Sequence, residues 1–415
     1  MEAPQGQHNI TMHELKAYPA RLAAVAAWAS GEEALVQRAV EIQQIPAPTG
    51  DERARGENVA ARFRELGLLD VDMDALFNVY GRVPARAGAD RRDSRPEGRA
   101  LMVSAHTDTV FGLDVDLAVQ IDAAAGQIHG PGIGDNSAGV AALLGLAETL
   151  MQTPTAEGPA VDIWLVANSG EEGLGDLRGM RAAVDRLASQ IGACIVIEGM
   201  GLGRIVHRAL GSRRFRIEVN APGGHSWSDF GTASAIHTLM HLGQEISRLT
   251  VPHAPRTTFN LGRISGGTSI NTIAQHAMAE LDMRSEATDA LQMLVRQVEE
   301  IVDRYRVPLW QRRGVTVQVE TIGDRPPGEI AADHPLVDAA VRTLLQACPT
   351  RVPDLRISST DANIPLSRGI PAVCIGVTDG GDAHRRQEWI ETAPLPQGMQ
   401  HLLLLTWWAS EWLGG

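Results

Sequence analysis

Residues 164–173 read WLVANSGEEG, an apolar run that ends in two adjacent carboxylates, Glu171 and Glu172. An apolar run of this length, bounded by polar residues, predicts a strand that is buried on both faces. Because neighbouring carboxylates repel each other, a positive centre at the strand end is the favoured reason for placing them together. The alternative is the solvated start of a helix, where acidic residues are favourable without a ligand.

Two further apolar runs have the same form. The segment RALMVSAH (99–106) predicts a buried strand that ends at His106, and ACIVIEG (193–199) predicts one that leads to Glu198. Residues 136–150, NSAGVAALLGLAETL, open with small polar residues and continue with apolar residues at helical spacing. This is the pattern of a crossover helix between parallel strands. The sequence therefore predicts an α/β fold with a mixed, largely parallel sheet.

The pattern changes between residues 206 and 318. Alternating strand patterns there bracket two helical stretches, 232–249 and 288–305, in the order βαββαβ. This order predicts an inserted α+β domain with a four-stranded antiparallel sheet. Apolar helix and strand patterns resume after the insert. The predicted domains are a first domain of residues 1–205 and 319–415, and an insert of residues 206–318.

Length and composition narrow the class of protein. At 415 residues the chain exceeds the size at which single hydrophobic cores stop growing, which favours two domains. A content of 44% hydrophobic and 21% charged residues is typical of a globular protein. The formal net charge of -13 and the lack of a long basic run argue against a nucleic-acid partner, because phosphate binding needs clustered Lys and Arg.

The compartment is predicted from the N-terminal segment and the cysteines. Residues 1–19 lack a basic stretch followed by an apolar one, and no apolar run approaches the length of a membrane span. We therefore expect a cytoplasmic protein without a membrane partner. Cys194, Cys348 and Cys374 are odd in number and far apart, so they are predicted to be buried free thiols.

Candidate metal ligands lie at the predicted strand ends. In His106-Thr107-Asp108, the histidine can bind a metal through one ring nitrogen while a carboxylate orients the ring through the other. Asp135 lies in the glycine-rich loop GPGIGDNSAG (130–139), just before a helix, where its carboxylate is free to bridge two cations. A dinucleotide site is disfavoured, since the spacing is not G-x-G-x-x-G and an Asp at the helix start repels phosphate.

Glu198 and His384 complete the candidate set. Glu198 follows an apolar run, where an ionised carboxylate is costly unless it is paired or binds a metal. Two histidines and three carboxylates match the N and O ligands that Zn²⁺ prefers. Side chains alternate along an extended chain, so one glutamate of the adjacent pair can bind a metal while the other faces a water molecule as general base.

These motifs resemble the M20 peptidase family, which includes glutamate carboxypeptidases, aminoacylases, succinyl-diaminopimelate desuccinylases and tripeptidase T-like enzymes. The resemblance spans residues 99–390 and rests on H-x-D, on G-x-x-D-[NDM]-x-x-G, on E-E, on the acidic residue of the next strand and on a C-terminal histidine. It implies that Glu171 is the general base and that Asp108 orients His106. The ligands implied for two Zn²⁺ ions, which Co²⁺ or Mn²⁺ can replace, are His106, Asp135, Glu172, Glu198 and His384.

The resemblance also implies a zinc-exopeptidase-like catalytic domain and a lid and dimerisation role for the insert, and hence a homodimer. Within the insert, His225 is implied to stabilise the tetrahedral intermediate, and Asn271 and Arg284 to contact the substrate. These roles suit the residue types, because an imidazole can donate to a developing oxyanion and a guanidinium can hold a carboxylate in bidentate fashion.

The segment SSTDANIPLSRGIP (358–371) is similar to the family's substrate-binding loop, with Thr360, Asp361 and Asn363 as the implied contacts. The alternative is an ordinary turn, because Ser, Asp and Asn side chains cap turns without any ligand.

The expected function is hydrolysis of an amide bond in a small peptide or an N-acyl amino acid, by a metal-activated water with Glu171 as general base. In the family, a Glu at the position of Glu198 is commoner among carboxypeptidases and acylases, which favours a substrate with a free carboxylate. The TDAN sequence instead favours a tripeptidase T-like aminopeptidase. A carbamoyl-amide hydrolase and a non-catalytic family member are the remaining alternatives.

Overall fold

The structure is a computed structural model that describes residues 17–86 and 99–415. The chain divides into two compact units, one formed by residues up to 207 and from 329 onward, the other by residues 208–328. Residues 1–16, which carry most of the segment used to predict the compartment, lie outside the described residues.

The described residues form helices in both units. In chain order they are α1 (Pro19–Ala27), α2 (Glu32–Gln43), α3 (Arg53–Glu65), α4 (Gly139–Gln152), α5 (Arg178–Leu187), α6 (Ala235–Ser247), α7 (Thr288–Asp303), α8 (Pro308–Arg312), α9 (Pro335–Ala347), α10 (Asn363–Ser367) and α11 (Leu395–Gly414).

Within the part of the chain that the structure describes, the strands form one large sheet and three small ones. In chain order they are β1 (Leu69–Met73), β2 (Val79–Val83), β3 (Ala100–His106), β4 (Gln120–Asp122), β5 (Gln127–His129), β6 (Ile163–Asn168), β7 (Ile191–Met200), β8 (Arg204–Ala209), β9 (Gly211–Asn220), β10 (Gly224–His225), β11 (Thr257–Gly266), β12 (Thr272–Ile273), β13 (His276–Ser285), β14 (Thr316–Arg325), β15 (Gly328–Glu329), β16 (Asp354–Ser358), β17 (Ala372–Thr378), β18 (Gly380–Gly381) and β19 (Trp389–Glu391).

The large sheet has the order β1-β2-β6-β3-β7-β17-β8-β15, with β16 paired to β8. Its centre is parallel, because β3 pairs in parallel with both β6 and β7, and β7 pairs in parallel with β17. The flanking pairs β1/β2, β2/β6 and β17/β8 are antiparallel. The predicted mixed, largely parallel sheet is therefore confirmed.

The central strands are apolar because both of their faces are covered. Every residue of β3, β6 and β17 is buried. Helices α4 and α11 pack against β3 and β17, and β6 is covered by α4 and α5. Each fully buried Val, Leu or Ile side chain contributes about 1.5–3 kcal/mol relative to exposure, so these strands hold the site edge firmly. Because the strands are parallel, their carboxyl ends meet at one edge, where His106 ends β3 and Glu171 follows β6.

One strand end differs from the prediction. Strand β7 continues through Glu198 to Met200, because it pairs with β17 as far as the Met200–Thr378 pair. Glu198 therefore lies within the strand, two residues before its end, rather than after it. Its side chain is nevertheless only partly buried.

The second unit has the order β9-α6-β11-β13-α7-β14 among its main elements, which is the predicted βαββαβ pattern. Its sheet has the order β11-β13-β9-β14, and every pair is antiparallel. The unit continues past the expected boundary at residue 318 because β14 pairs with β9 as far as Arg325 and Ser212.

The cysteines and the helices bear on two further predictions. Cys194, Cys348 and Cys374 are buried free thiols, as predicted. Within residues 17–86 and 99–415, no helix combines the length and the apolar character needed to cross a bilayer.

We expect His401 to make the stability of the first unit depend on pH. It is buried in α11, and its Nδ1 lies 3.2 Å from Thr343 Oγ1. Burial lowers the pKa of His401 to about 3, whereas an unfolded chain has a histidine pKa of about 6.5. As the pH falls below 6.5 the unfolded state therefore takes up a proton that the folded state does not. We expect a loss of about 2 kcal/mol of unfolding free energy between pH 7 and pH 5.

Denaturant unfolding at pH 7 and pH 5 measures this loss when the wild-type protein is compared with His401→Gln. Glutamine keeps a polar group beside Thr343 and does not titrate, so the difference between the two pH values should be smaller in the variant by about 2 kcal/mol. An equal pH dependence in both proteins would rule out His401 as its source.

Candidate metal centre

Asp135 lies between two histidines. Its Oδ1 is 3.1 Å from His106 Nε2, and its Oδ2 is 3.1 Å from His384 Nε2. The two oxygens of one carboxylate thus face two different imidazoles, as expected of a side chain shared between two cations.

Two glutamates lie beside this trio, one on each side. Glu172 Oε1 is 3.0 Å from His384 Nε2, and Glu198 Oε2 is 3.6 Å from His106 Nε2. One ligand atom each from His106, Asp135 and Glu172 lies within 4.8 Å of the others. The five predicted ligands are therefore brought together as two overlapping groups that share Asp135.

Asp108 holds the Glu171–Glu172 segment in place. Its Oδ1 accepts the backbone N–H of Glu171 at 2.9 Å, and its Oδ2 accepts that of Glu172 at 3.0 Å. The Oδ2 also accepts the hydroxyl of Thr49 at 2.8 Å. His106 Nδ1 lies 3.1 Å from the backbone carbonyl oxygen of Asp108 and 3.5 Å from its carboxylate. Asp108 thus fixes both the His106 ring and the two glutamates.

The loop that carries Asp135 is pressed against strand β7. A Cβ added at Gly199 would lie 1.9 Å from the carbonyl oxygen of Gly134, so only glycine permits this close approach. Asn136 Nδ2 donates to the carbonyl oxygen of Ile197 at 2.9 Å. The two contacts place Asp135 alongside Glu198.

Sequence reasoning missed two buried carboxylates that support the site. Glu52 accepts the backbone N–H of Gly170 at 3.1 Å and a hydrogen bond from Arg178 at 2.9 Å, so it fixes the segment before Glu171. Glu388 accepts backbone N–H groups from the Asp135 loop and the His384 loop. No local pattern marks either residue, because their partners are distant in sequence.

The pKa values follow from burial and from the crowding of carboxylates. Burial lowers the pKa of His106, but hydrogen bonds to Asp108, Asp135 and Glu198 outweigh it and raise that pKa well above its usual value. Hydrogen bonds to Asp135 and Glu172 raise the pKa of His384 to about 10. Burial raises the pKa of Glu198. These shifts describe a strongly acidic environment around both imidazoles.

The segment 360–363 is buried beneath the same sheet edge. Asn363 Oδ1 accepts the N–H of Thr360 at 2.9 Å, and Thr360 Oγ1 accepts the N–H of Ala362 at 3.2 Å. Asp361 Oδ2 accepts from Asn168 Nδ2 at 2.7 Å, and burial raises the pKa of Asp361 to about 7. Thr360 and Asn363 thus bond within the turn, whereas Asp361 bonds outside it, to Asn168 at the end of β6.

The remaining predicted residues belong to the second unit. His225 ends β10, and its Nδ1 accepts the backbone N–H groups of Trp227 at 3.2 Å and Ser228 at 3.4 Å. Asn271 is exposed, and its Oδ1 accepts the hydroxyl of Ser269 at 3.0 Å. Arg284 Nε donates to Asp282 Oδ2 at 2.7 Å.

The side chains at the sheet edge suit divalent cations. Within a small volume, the cluster combines two imidazoles with carboxylates that include Asp135, Glu172 and Glu198. Carboxylates crowded in this way repel one another unless a positive charge lies between them. Imidazole nitrogens and carboxylate oxygens are also the ligands that Zn²⁺, Co²⁺ and Mn²⁺ accept.

Comparisons with known proteins bear on the family and the fold. A profile of peptidase family M20/M25/M40 matches residues 102–407. A succinyl-diaminopimelate desuccinylase of Corynebacterium glutamicum is 24% identical over 365 residues, which cover 85% of this chain and 90% of that protein. The structure of aminopeptidase PepT from Bacillus cereus has a TM-score of 0.70 at 22% identity, covering 91% of this chain and 98% of that one. The structure of a Staphylococcus aureus tripeptidase has a TM-score of 0.71 at 21% identity, covering 92% of this chain and 99% of that one.

Proposed function

The chain belongs to peptidase family M20/M25/M40 and is a metal-dependent amide-bond hydrolase, and on that premise we propose that it acts through two Zn²⁺ ions on a small peptide or N-acyl amino acid. The observation that carries the proposal is the shared Asp135, whose two oxygens each lie 3.1 Å from a different histidine. His106 and Glu198 would hold one ion, His384 and Glu172 the other, and Asp135 both. Bound divalent ions polarise a substrate carbonyl and lower the pKa of water.

Glu171 is the proposed general base. It is buried beside the ligand Glu172, and Asp108 holds the backbone of both residues through two hydrogen bonds. Successive side chains of an extended segment point in different directions, so Glu172 can bind metal while Glu171 takes a proton from the attacking water. The same carboxylic acid then returns the proton to the leaving amine.

His225 is proposed to donate a hydrogen bond to the substrate carbonyl oxygen as negative charge develops there. Support comes from the state of its ring, because Nδ1 accepts two backbone N–H groups, from Trp227 and Ser228. A neutral imidazole whose Nδ1 is an acceptor carries its proton on Nε2. The Nε2–H is therefore the group of this ring that can donate a hydrogen bond.

We expect His225→Ala to lower kcat by about 10²- to 10³-fold, the effect of losing one oxyanion donor, with unchanged metal content. Steady-state kinetics and elemental analysis on the same sample measure both quantities. His225→Gln is the matched variant, because its amide can still donate a hydrogen bond, and it should lose less activity. Wild-type kinetics in His225→Ala would remove this residue from the reaction.

The favoured substrate carries a free carboxylate. The sequence relative from Corynebacterium glutamicum is a succinyl-diaminopimelate desuccinylase. Arg284, with its partner Asp282, and the exposed Asn271 are the proposed contacts to the substrate. The second candidate is a tripeptidase T-like aminopeptidase, which the likeness in fold to the Bacillus cereus and Staphylococcus aureus enzymes keeps open.

The inserted unit is proposed to act as the lid and the dimerisation domain of a homodimer. Trp227, Phe230 and Ile270 are large apolar side chains of this unit that are almost fully exposed in the single chain. Exposed apolar side chains of this kind are common where a protein meets a partner. Light scattering that gave a monomer mass at micromolar concentration would contradict the dimer.

A substrate panel tests the proposal. N-acetyl and N-succinyl amino acids, dipeptides, tripeptides, C-terminal glutamate peptides and ureido compounds should be assayed with the zinc-loaded protein. Preference for N-acyl amino acids or C-terminal glutamate peptides supports the favoured substrate. Preference for tripeptides with a free amino terminus supports the second candidate, and hydrolysis of ureido compounds alone would contradict both.

A further inference from the structure

Glu388 lies between the loop that carries Asp135 and the loop that carries His384. It is fully buried. Its Oε1 accepts the backbone N–H groups of Gly134 at 2.7 Å and Asp135 at 2.8 Å, and its Oε2 accepts that of His384 at 3.3 Å. One carboxylate therefore joins two loops that are far apart in sequence, and each loop supplies a proposed metal ligand.

The backbone of Glu388 is itself fixed. Its carbonyl oxygen accepts the N–H of Gly130 at 2.8 Å, and its own N–H donates to the backbone carbonyl oxygen of Arg385 at 3.0 Å. The strand β19 that follows it pairs with β5, which leads into the Asp135 loop. Because the backbone of Glu388 is fixed, its side chain can hold the less regular His384 loop next to the Asp135 loop.

The two histidines depend on such support to different degrees. His106 ends a buried strand that is paired on both sides, and its side chain is 1% exposed. The His384 side chain is 53% exposed and lies in a loop where both His384 (φ 66°) and Asp382 (φ 56°) have left-handed backbones. Such a conformation is unfavourable for a residue other than glycine and persists only where contacts impose it.

We propose that Glu388 is a positioning residue that holds Asp135 and His384 at a fixed spacing and thereby sets the metal affinity of the position on the His384 side. The inference rests on the proposed function, since it assumes that these residues bind metal. The position on the His106 side should depend less on Glu388, because the sheet, Asp108 and Glu198 already support it.

Calorimetric titration of Zn²⁺ into the metal-free full chain tests this inference. Wild-type protein should show two binding steps. In Glu388→Ala one step should weaken by about 10- to 100-fold, the usual effect of removing a group that orients a metal ligand, while the other keeps its affinity. In Glu388→Gln the affinity of that step should lie between those of the wild-type protein and Glu388→Ala. The glutamine amide keeps one acceptor oxygen, but its NH₂ group faces a backbone N–H and cannot accept from it.

Two further variants separate positioning from general destabilisation. His384→Ala should weaken the same step, and adding Glu388→Ala to it should weaken that step no further, because both changes act on one position. Asp162→Ala is the control, because Asp162 is also a carboxylate that joins two segments. It directly precedes β6, at the opposite end of that strand from the site, and accepts hydrogen bonds from the N–H of Ala85 at 2.9 Å and from Arg82 Nη1 at 3.0 Å. This variant should lower the melting temperature and leave both steps unchanged.

Wild-type affinity at both steps in Glu388→Ala would overturn the inference. So would an equal loss at both steps that Asp162→Ala reproduces at a similar melting temperature. Absence of any Zn²⁺ binding by the wild-type protein is a separate result, visible before any variant is made, and it would reject the proposed function together with this inference.

Discussion

Replacing Glu171 with glutamine is expected to lower kcat by about 10²- to 10⁴-fold, the range for loss of a general base, while both metal positions still fill. Glutamine has nearly the same shape but cannot take up a proton from water. The backbone N–H of residue 171 keeps its hydrogen bond to Asp108, so the adjacent ligand Glu172 should stay in place. Rates on the best substrate of the panel and metal content of the same sample measure the two expectations.

Glu172→Gln is the matched contrast, because it makes the same chemical change one residue later. Glu172 Oε1 lies 3.0 Å from His384 Nε2, so this variant should lose metal on the His384 side as well as activity. The assignment of the two roles would be wrong if Glu171→Gln lost metal and Glu172→Gln kept it. A rate near the wild-type value in Glu171→Gln would exclude Glu171 as the base.

Replacing Asp135 with alanine is expected to remove both ions and to leave no measurable hydrolysis. Its two oxygens each lie 3.1 Å from a different histidine, so both positions lose a ligand in a single change. His384→Ala, by contrast, should leave the position on the His106 side occupied. Metal content after dialysis against Zn²⁺ and removal of the excess distinguishes the two results.

Asp122→Ala is the control for Asp135→Ala. Asp122 is exposed in the hairpin just before the Asp135 loop, where its carboxylate accepts the N–H groups of Ala124 and Ala125. Its loss should change neither metal content nor rate. If Asp135→Ala retained two ions per chain, Asp135 would not be the shared ligand.

The sequence was most informative where a buried strand ends in polar residues. The runs that lead to His106, Glu171 and Glu198 are apolar because both sheet faces are covered, and parallel strands bring their carboxyl ends to one edge. Their meeting point could therefore be predicted from local patterns. His384 has no such pattern, since it lies in an exposed loop, so its residue type and the resemblance to the M20 family were the signals for it.

Other features depend on contacts between distant parts of the chain. Nothing local marks Glu388 as the acceptor for Gly134, or Glu52 as the acceptor for Gly170, because neither pair is close in sequence. The tautomer of the His225 ring also follows only from the fold of its turn. The small sheet of β18, β19, β5 and β4 was missed because strands of two or three residues carry too little alternation to be recognised.

The central proposal, that two metal ions held around Asp135 carry out amide hydrolysis, is tested most directly by measuring metal content and hydrolysis on the same preparation. The protein should be stripped with a chelator, assayed, reloaded with Zn²⁺ and assayed again. We predict two ions per chain in the reloaded protein, loss of hydrolysis on stripping and its return on reloading. Hydrolysis by the fully stripped protein, or failure to take up metal on reloading, would contradict the proposal.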